Sequence, residues 1–210
     1  MHPVSLYSLS KTTQLLRLYP LFLLVVVASG LSAQATPDHS PLAGRLADYA
    51  RLTMNWEIDS LLDLTDPELF EIVPRTAVRT QLAGLSSDDN IAITFRDFTI
   101  DNVGEIVNYQ EDGFAPVSCH YGIEFRLLSE DYRAENFQRR MVRMLQKRHG
   151  NDQVYHDSQR HVITVAAVKS LYAIRRGLDA KWCFVEYRRE NVGLMDLLLP
   201  PAVRDRLREQ

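Results

Sequence analysis

His120 and Glu124 share one face of a predicted strand, VSCHYGIEFRL over residues 117–127. A carboxylate beside an imidazole is an acid–base pair, able to take a proton from a bound molecule and return it. The same strand sets a condition on that chemistry. Val117, Cys119, Tyr121, Ile123, Phe125 and Leu127 alternate with Ser118, His120, Gly122, Glu124 and Arg126, and successive side chains on a strand point to opposite faces. The apolar set belongs inside, which leaves His120 and Glu124 on the outer face as a wet polar patch. No residue is therefore assigned a catalytic role.

Other chemistries are weaker still. Cys119 and His120 are adjacent, so their side chains diverge and cannot form a thiolate–imidazolium pair. The chain has no G-x-S-x-G nucleophile elbow, no phosphate loop and no dinucleotide fingerprint. His156 and His161, with Asp152 and Asp157 nearby, form its one His/Asp cluster. The five-residue spacing matches no common helical ligand pair, and NDQVYHDSQRH reads as a polar turn, so neither a metal nor any other cofactor is expected. Arg139, Arg140, Arg143, Lys147 and Arg148 lie opposite Phe137 and Met141 on a predicted helix, and read as a solvated amphipathic face.

The first 35 residues read as a targeting segment. They hold no Asp or Glu, Lys11 and Arg17 supply positive charge, and Leu21–Ala28 (LFLLVVVA) is an apolar core. Ala33-Gln34-Ala35 then offers an A-x-A cleavage site. An apolar run of this length falls short of the ~20 residues that span a bilayer. The expectation is a cleaved signal peptide over 1–35 and a secreted or periplasmic protein over 36–210, with no membrane attachment. Losing Lys11 and Arg17 leaves 22 basic residues against 27 acidic, a net of −5, which disfavours a nucleic-acid partner. Cys119 and Cys183 would then meet an oxidising compartment. They either bond to each other or remain as two buried thiols.

The elements change period midway. Ser40-Pro41 looks like an N-cap followed by Pro at the first helical turn; Leu42, Leu46, Tyr49, Ala50 and Thr53 follow at helical spacing. Short helices are expected around Ile58–Leu64, after Asp66-Pro67, and from Pro74 to about Leu85. Then come alternating runs at 91–95, 98–100 and 103–109, and a turn at 110–113 in which Gly113 would supply positive φ. The long strand at 117–127 follows, then a helix at 130–149 with Phe137, Met141, Met144 and Leu145 as its apolar stripe and Gly150 as its stop. Strands at 162–165, 168–174 and 182–187 follow, and a tail helical on either side of Pro200-Pro201 closes the chain. Helices first, then antiparallel strands, is an α+β pattern.

This order resembles the NTF2-like (cystatin-like cone) superfamily. It is most similar to small secreted uncharacterised proteins typical of Bacteroidetes. The residues that carry the likeness are TMNWEIDSLLDLTDPELFEIV at 53–73 with Pro74 behind it, HGNDQVY at 149–155, KSLYAI at 169–174, WCFVE at 182–186 and LLPPAV at 198–203. The helix at 130–149 is an addition to the minimal cone. The resemblance implies N-terminal helices packed on a curved antiparallel sheet that encloses an apolar pocket. Tyr49, Met54, Trp56, Phe70, Tyr121, Phe125 and Tyr172 are the candidates to line it. It implies no single function, since functions on such folds are set by their sites. The expectation is a non-enzymatic binding or interaction domain. Its partner would be a small apolar ligand in the pocket, a protein, or a second copy of the chain at the open sheet face. The rival is a small hydrolase, isomerase or dehydratase using acid–base residues in that pocket.

Overall fold

The computed structural model describes residues 40–187 and 192–208; the expected leader lies outside the described residues. The apolar periodicity of the first half becomes four helices. These are α1 (Ser40–Met54), α2 (Ile58–Asp63), α3 (Leu69–Ile72) and α4 (Arg75–Ser86). Leu42, Leu46, Tyr49 and Leu52 form the buried stripe of α1, spaced three and four residues apart as a 3.6-residue period requires.

Among the described residues the strands form one open six-stranded antiparallel sheet. They are β1 (Ile91–Val103), β2 (Val107–Tyr109), β3 (Asp112–Leu127), β4 (Val154–Asp157), β5 (Val162–Arg175) and β6 (Cys183–Tyr187). The long β3 and β5 pair from Gly113↔Arg175 to Arg126↔Val162. β1 and β2 both pair with β3, while β4 and β6 both pair with β5. The fold is thus α+β. The two short alternating runs at 91–100 are one strand, interrupted by register shifts at Phe95/Asp97 and Ile100/Asn102. Each such bulge bends its strand and resets which side chain points inward.

The helix at 130–149 is two: α5 (Glu130–Arg133) and α6 (Glu135–His149), broken at Ala134, whose ψ of 136° is extended. Gly150, at φ 101°, stops α6 as expected. Met144 does not belong to the stripe; it is 60% exposed, and Gln138 takes a buried place beside Met141 and Leu145. The positive φ of the β2–β3 turn falls on Gln110 (55°), whereas Gly113 lies inside β3. Gly113 is small for a different reason: a Cβ there would stand 3.0 Å from the Trp182 ring. The polar segment at 151–161 contains β4, which sequence pattern alone did not show. The tail forms α7 (Val192–Leu198) and α8 (Pro201–Arg208), the second opening on Pro201 of the Pro200-Pro201 pair.

Three apolar clusters hold these layers. On the inner face, α1 and the 61–64 segment pack on Ala115, Val117, Cys119, Leu171, Ala173 and Phe184. At the other end of that face, α6 packs on Leu127, Ile163, Val165 and Ala167. On the outer face, α7 and α8 cover Phe114, Ile174 and Val185. Asp66, fully buried, ties the helical half to the sheet: its carboxylate accepts from Arg176 at 2.8 Å, and its N–H donates to the Phe184 carbonyl. No helix of the described residues is long and apolar enough to cross a membrane.

Candidate functional site

α1 and α6 rest on opposite ends of one sheet face, and between them the face is left open as a cavity of about 790 Å³. That is within the range of pockets for small molecules, about 300–1,000 Å³. β1 and β3 supply its floor: Ile93, Phe95, Phe98, Tyr121, Ile123 and Phe125. α4 contributes Val78, Leu82 and Leu85 on one side, and the end of α6 contributes Leu145, Arg148 and His149 on the other. Salt bridges Arg75–Asp63 (2.7 Å) and Arg79–Asp59 (2.7 Å) tie α4 to α2.

The aromatic side chains form a connected series. Trp56 has φ 56° and donates its indole N–H to the Ile93 carbonyl at 3.3 Å. Its ring lies 5.1 Å from Phe95, Phe95 lies 6.0 Å from Tyr121, and Tyr121 stacks on Phe98 at 6.0 Å with 15° between the planes. Tyr49 continues behind Phe98 at 5.9 Å. Such offset and edge contacts fix ring orientations as well as burying area.

One stretch of the cavity is polar. Lys169 points inward from β5, its ammonium 3.0 Å from Glu186 of β6 and 5.4 Å from the centre of the Tyr49 ring. Burial opposes the Lys169 charge, but the Tyr49 oxygen and the Glu186 carboxylate outweigh that penalty, so the proton is held more tightly than in an exposed lysine. Burial pushes the Tyr49 phenol up as well. The Cys119 thiol, which donates to the Lys169 carbonyl at 3.3 Å, is pushed up to about 11 by burial. Thr53 also lines the cavity; it is 6% exposed, and its buried hydroxyl oxygen has no hydrogen-bond partner in the protein.

Of the residues expected to line a pocket, Trp56, Tyr121 and Phe125 do so. Tyr49, Met54, Phe70 and Tyr172 do not. Tyr49 is core, with its ring edge against Phe184 at 5.2 Å. Met54 is half-buried outside the lining. Phe70 lies under Arg75, 5.5 Å from the guanidinium. Tyr172 occupies an even position of β5 and therefore faces α7 and α8, where it meets Tyr187 at 5.5 Å. Sequence reasoning missed Phe95, Phe98, Thr53, Lys169 and Glu186. Lys169 carried a usable signal: it keeps step with Val165, Ala167 and Leu171, so alternation alone turns it inward.

His120 and Glu124 lie on the outer face and are claimed by different partners. His120 is exposed and donates from Nδ1 to Asp101 at 2.5 Å. Glu124, expected to be wet, is 6% exposed; it accepts from Arg126 at 3.0 Å and also pairs with Arg96. The Arg126 hydrogen bond, opposed by burial and joined by Arg96, holds this carboxyl below its ordinary range. Cys119 and Cys183 are free thiols. Cys119 stands opposite Lys169 and Cys183 opposite Ile174, an odd number of residues apart on β5. The two thiols therefore face opposite sides of the sheet, and no disulfide can join them.

His156 and His161 converge on Gln138 of α6. His156 Nε2 donates to the Gln138 side-chain oxygen at 2.7 Å, and the Gln138 amide donates to His161 Nδ1 at 3.2 Å and to the Arg133 carbonyl at 2.5 Å. Among the described residues no three His, Cys, Asp or Glu side chains gather as a metal site. Comparison of the chain with protein-family models, curated proteins and solved structures gave no match.

Proposed function

We propose that this is an exported binding module of the NTF2-like kind, which holds a small and largely apolar molecule on the inner face of its sheet. The observation that carries the reading is the cavity of about 790 Å³ floored by Phe95, Phe98, Tyr121 and Phe125. Aromatic side chains left half-buried, with rings already oriented by their neighbours, are the surface on which a flat or chain-like apolar body gains most from leaving water. The helices-then-sheet order and the location of the pocket between them are what favour the NTF2-like assignment.

The protonation of Lys169 suits holding a molecule better than proton transfer. General acid–base work needs a group that exchanges a proton near neutral pH. Lys169, paired with Glu186 and Tyr49, is pushed upward and retains its proton there, while His120 and Glu124 face away. The test uses N-phenyl-1-naphthylamine, a neutral apolar dye that brightens out of water. Titrated into the purified exported chain, it should saturate at one equivalent. Tyr121→Glu, which puts a charge on the cavity floor, should weaken binding about tenfold or more, with far-UV circular dichroism unchanged. Failure of the dye to saturate on the wild-type protein would remove the binding reading.

A further inference from the structure

The charged groups facing the cavity do not cancel. Lys169 and Arg148 are cations, and Glu186 is the one carboxylate of the lining. Lys169 and Glu186 offset each other, and the excess is carried by Arg148, whose side chain is exposed. A single negative charge would balance it.

The hydrogen-bonding inventory points the same way. An ammonium offers three N–H donors and no acceptor, and Lys169 has two side-chain partners, Glu186 and the Tyr49 phenol. Thr53 adds a hydroxyl that is more than nine-tenths buried, lines the same cavity and has no partner in the protein. A buried hydroxyl without a partner costs stability, and a ligand oxygen at this position would supply one. Lys169 thus has one N–H beyond its two side-chain partners and Thr53 has an unpartnered hydroxyl, and an acceptor that carries charge bonds most strongly to an ammonium. Beside it, Phe98 and Tyr121 are stacked with their rings nearly parallel.

We propose that the cavity takes an apolar monocarboxylic acid, its carboxylate held at Lys169 and Thr53 and its body laid along Phe98, Tyr121 and Phe95. This assignment of ligand class rests on the binding reading given above, and the experiment separates the two. Decanoate and decan-1-ol share the same apolar body and differ only in the head. Each is used to displace N-phenyl-1-naphthylamine from the exported chain at pH 7.5. Decanoate is expected to displace the dye at a concentration at least tenfold lower than the alcohol. In the charge-balanced double variant Lys169→Met with Glu186→Gln, the acid-to-alcohol preference should fall at least tenfold, and in Thr53→Val it should fall a few-fold. Equal displacement by acid and alcohol on the wild-type protein overturns the proposal while leaving the apolar cavity intact, and needs no variant to fold. A preference that survives in a folded double variant also overturns it. A dye that never binds removes the cavity reading first, and the proposal with it.

Discussion

Ile163 and Ile123 are the same residue type, on the same face of two neighbouring strands. Ile163 is fully buried in the cluster beneath that helix, whereas Ile123 is only half-buried and opens onto the cavity. The same contrast separates Leu171, sealed under α1 at 1% exposure, from Tyr121 one strand away. Strand periodicity is identical across these pairs. What differs is whether a helix lies directly above. Alternation tells which side of a strand faces the protein interior, and the placement of α1 and α6 at the two ends of the face decides which inward residues become core and which become pocket.

The most direct way to break this comparison is to truncate both isoleucines. Ile163→Ala removes packed atoms from a site that cannot collapse freely, and should cost about 2–5 kcal/mol. Ile123→Ala removes atoms that already border open space, and should cost about 1 kcal/mol. Urea denaturation of the two variants measures the difference. Equal losses would mean that the cavity floor is as tightly packed as the core.

The second test concerns how the far wall of the cavity is held. α6 meets the β4–β5 hairpin through Gln138, which bonds His156, His161 and the Arg133 carbonyl at once. Gln138→Ala would leave two histidines and a carbonyl without that partner, at about 2 kcal/mol. Because α6 also carries Leu145, Arg148 and His149 into the cavity, the loss should appear in dye binding as well as in the urea midpoint. A stability loss with dye affinity unchanged would mean that the wall does not depend on this clamp.

These contrasts also mark how much the sequence disclosed. The α+β order, the inward set of β3 and the paired tail helices followed from period and punctuation, because those signals are local. The bulges in β1 were not legible, since a bulge is a property of two paired strands, and without them Phe95 and Phe98 could not be put on one face. The separation of Trp56 and Tyr121, which line the cavity, from Tyr49, which does not, was illegible because it depends on which helix covers which stretch, whereas alternation along β5 already turned Tyr172 to the other face. β4 was hidden because its four residues sit in a polar run and are recruited by β5 and by Gln138. Glu124 was misjudged because the periodicity that turned it outward carries no information about the arginines that cover it.

Glu124 supplies the finest distinction between the two faces of the sheet. Inward, Lys169 keeps its charge by pairing at the edge of a cavity; outward, Glu124 keeps its charge under two largely exposed arginines, Arg96 and Arg126. Its carboxyl is held below the ordinary value of 4.5 in the folded protein. The unfolded chain therefore binds this proton more readily than the native one. The stability that Glu124 contributes is fully present above the unfolded value and is lost as pH falls through the folded one. Glu124→Gln should cost about 1 kcal/mol at pH 7, since the arginines it leaves behind remain hydrated. It should also flatten the fall in stability between about pH 5 and pH 3 relative to wild type, because a group that cannot ionise contributes nothing to that slope. Urea midpoints taken across that interval for the two proteins decide the matter. Parallel slopes would mean that Glu124 titrates alike in both states, and that the outer arginines cover it without stabilising its charge.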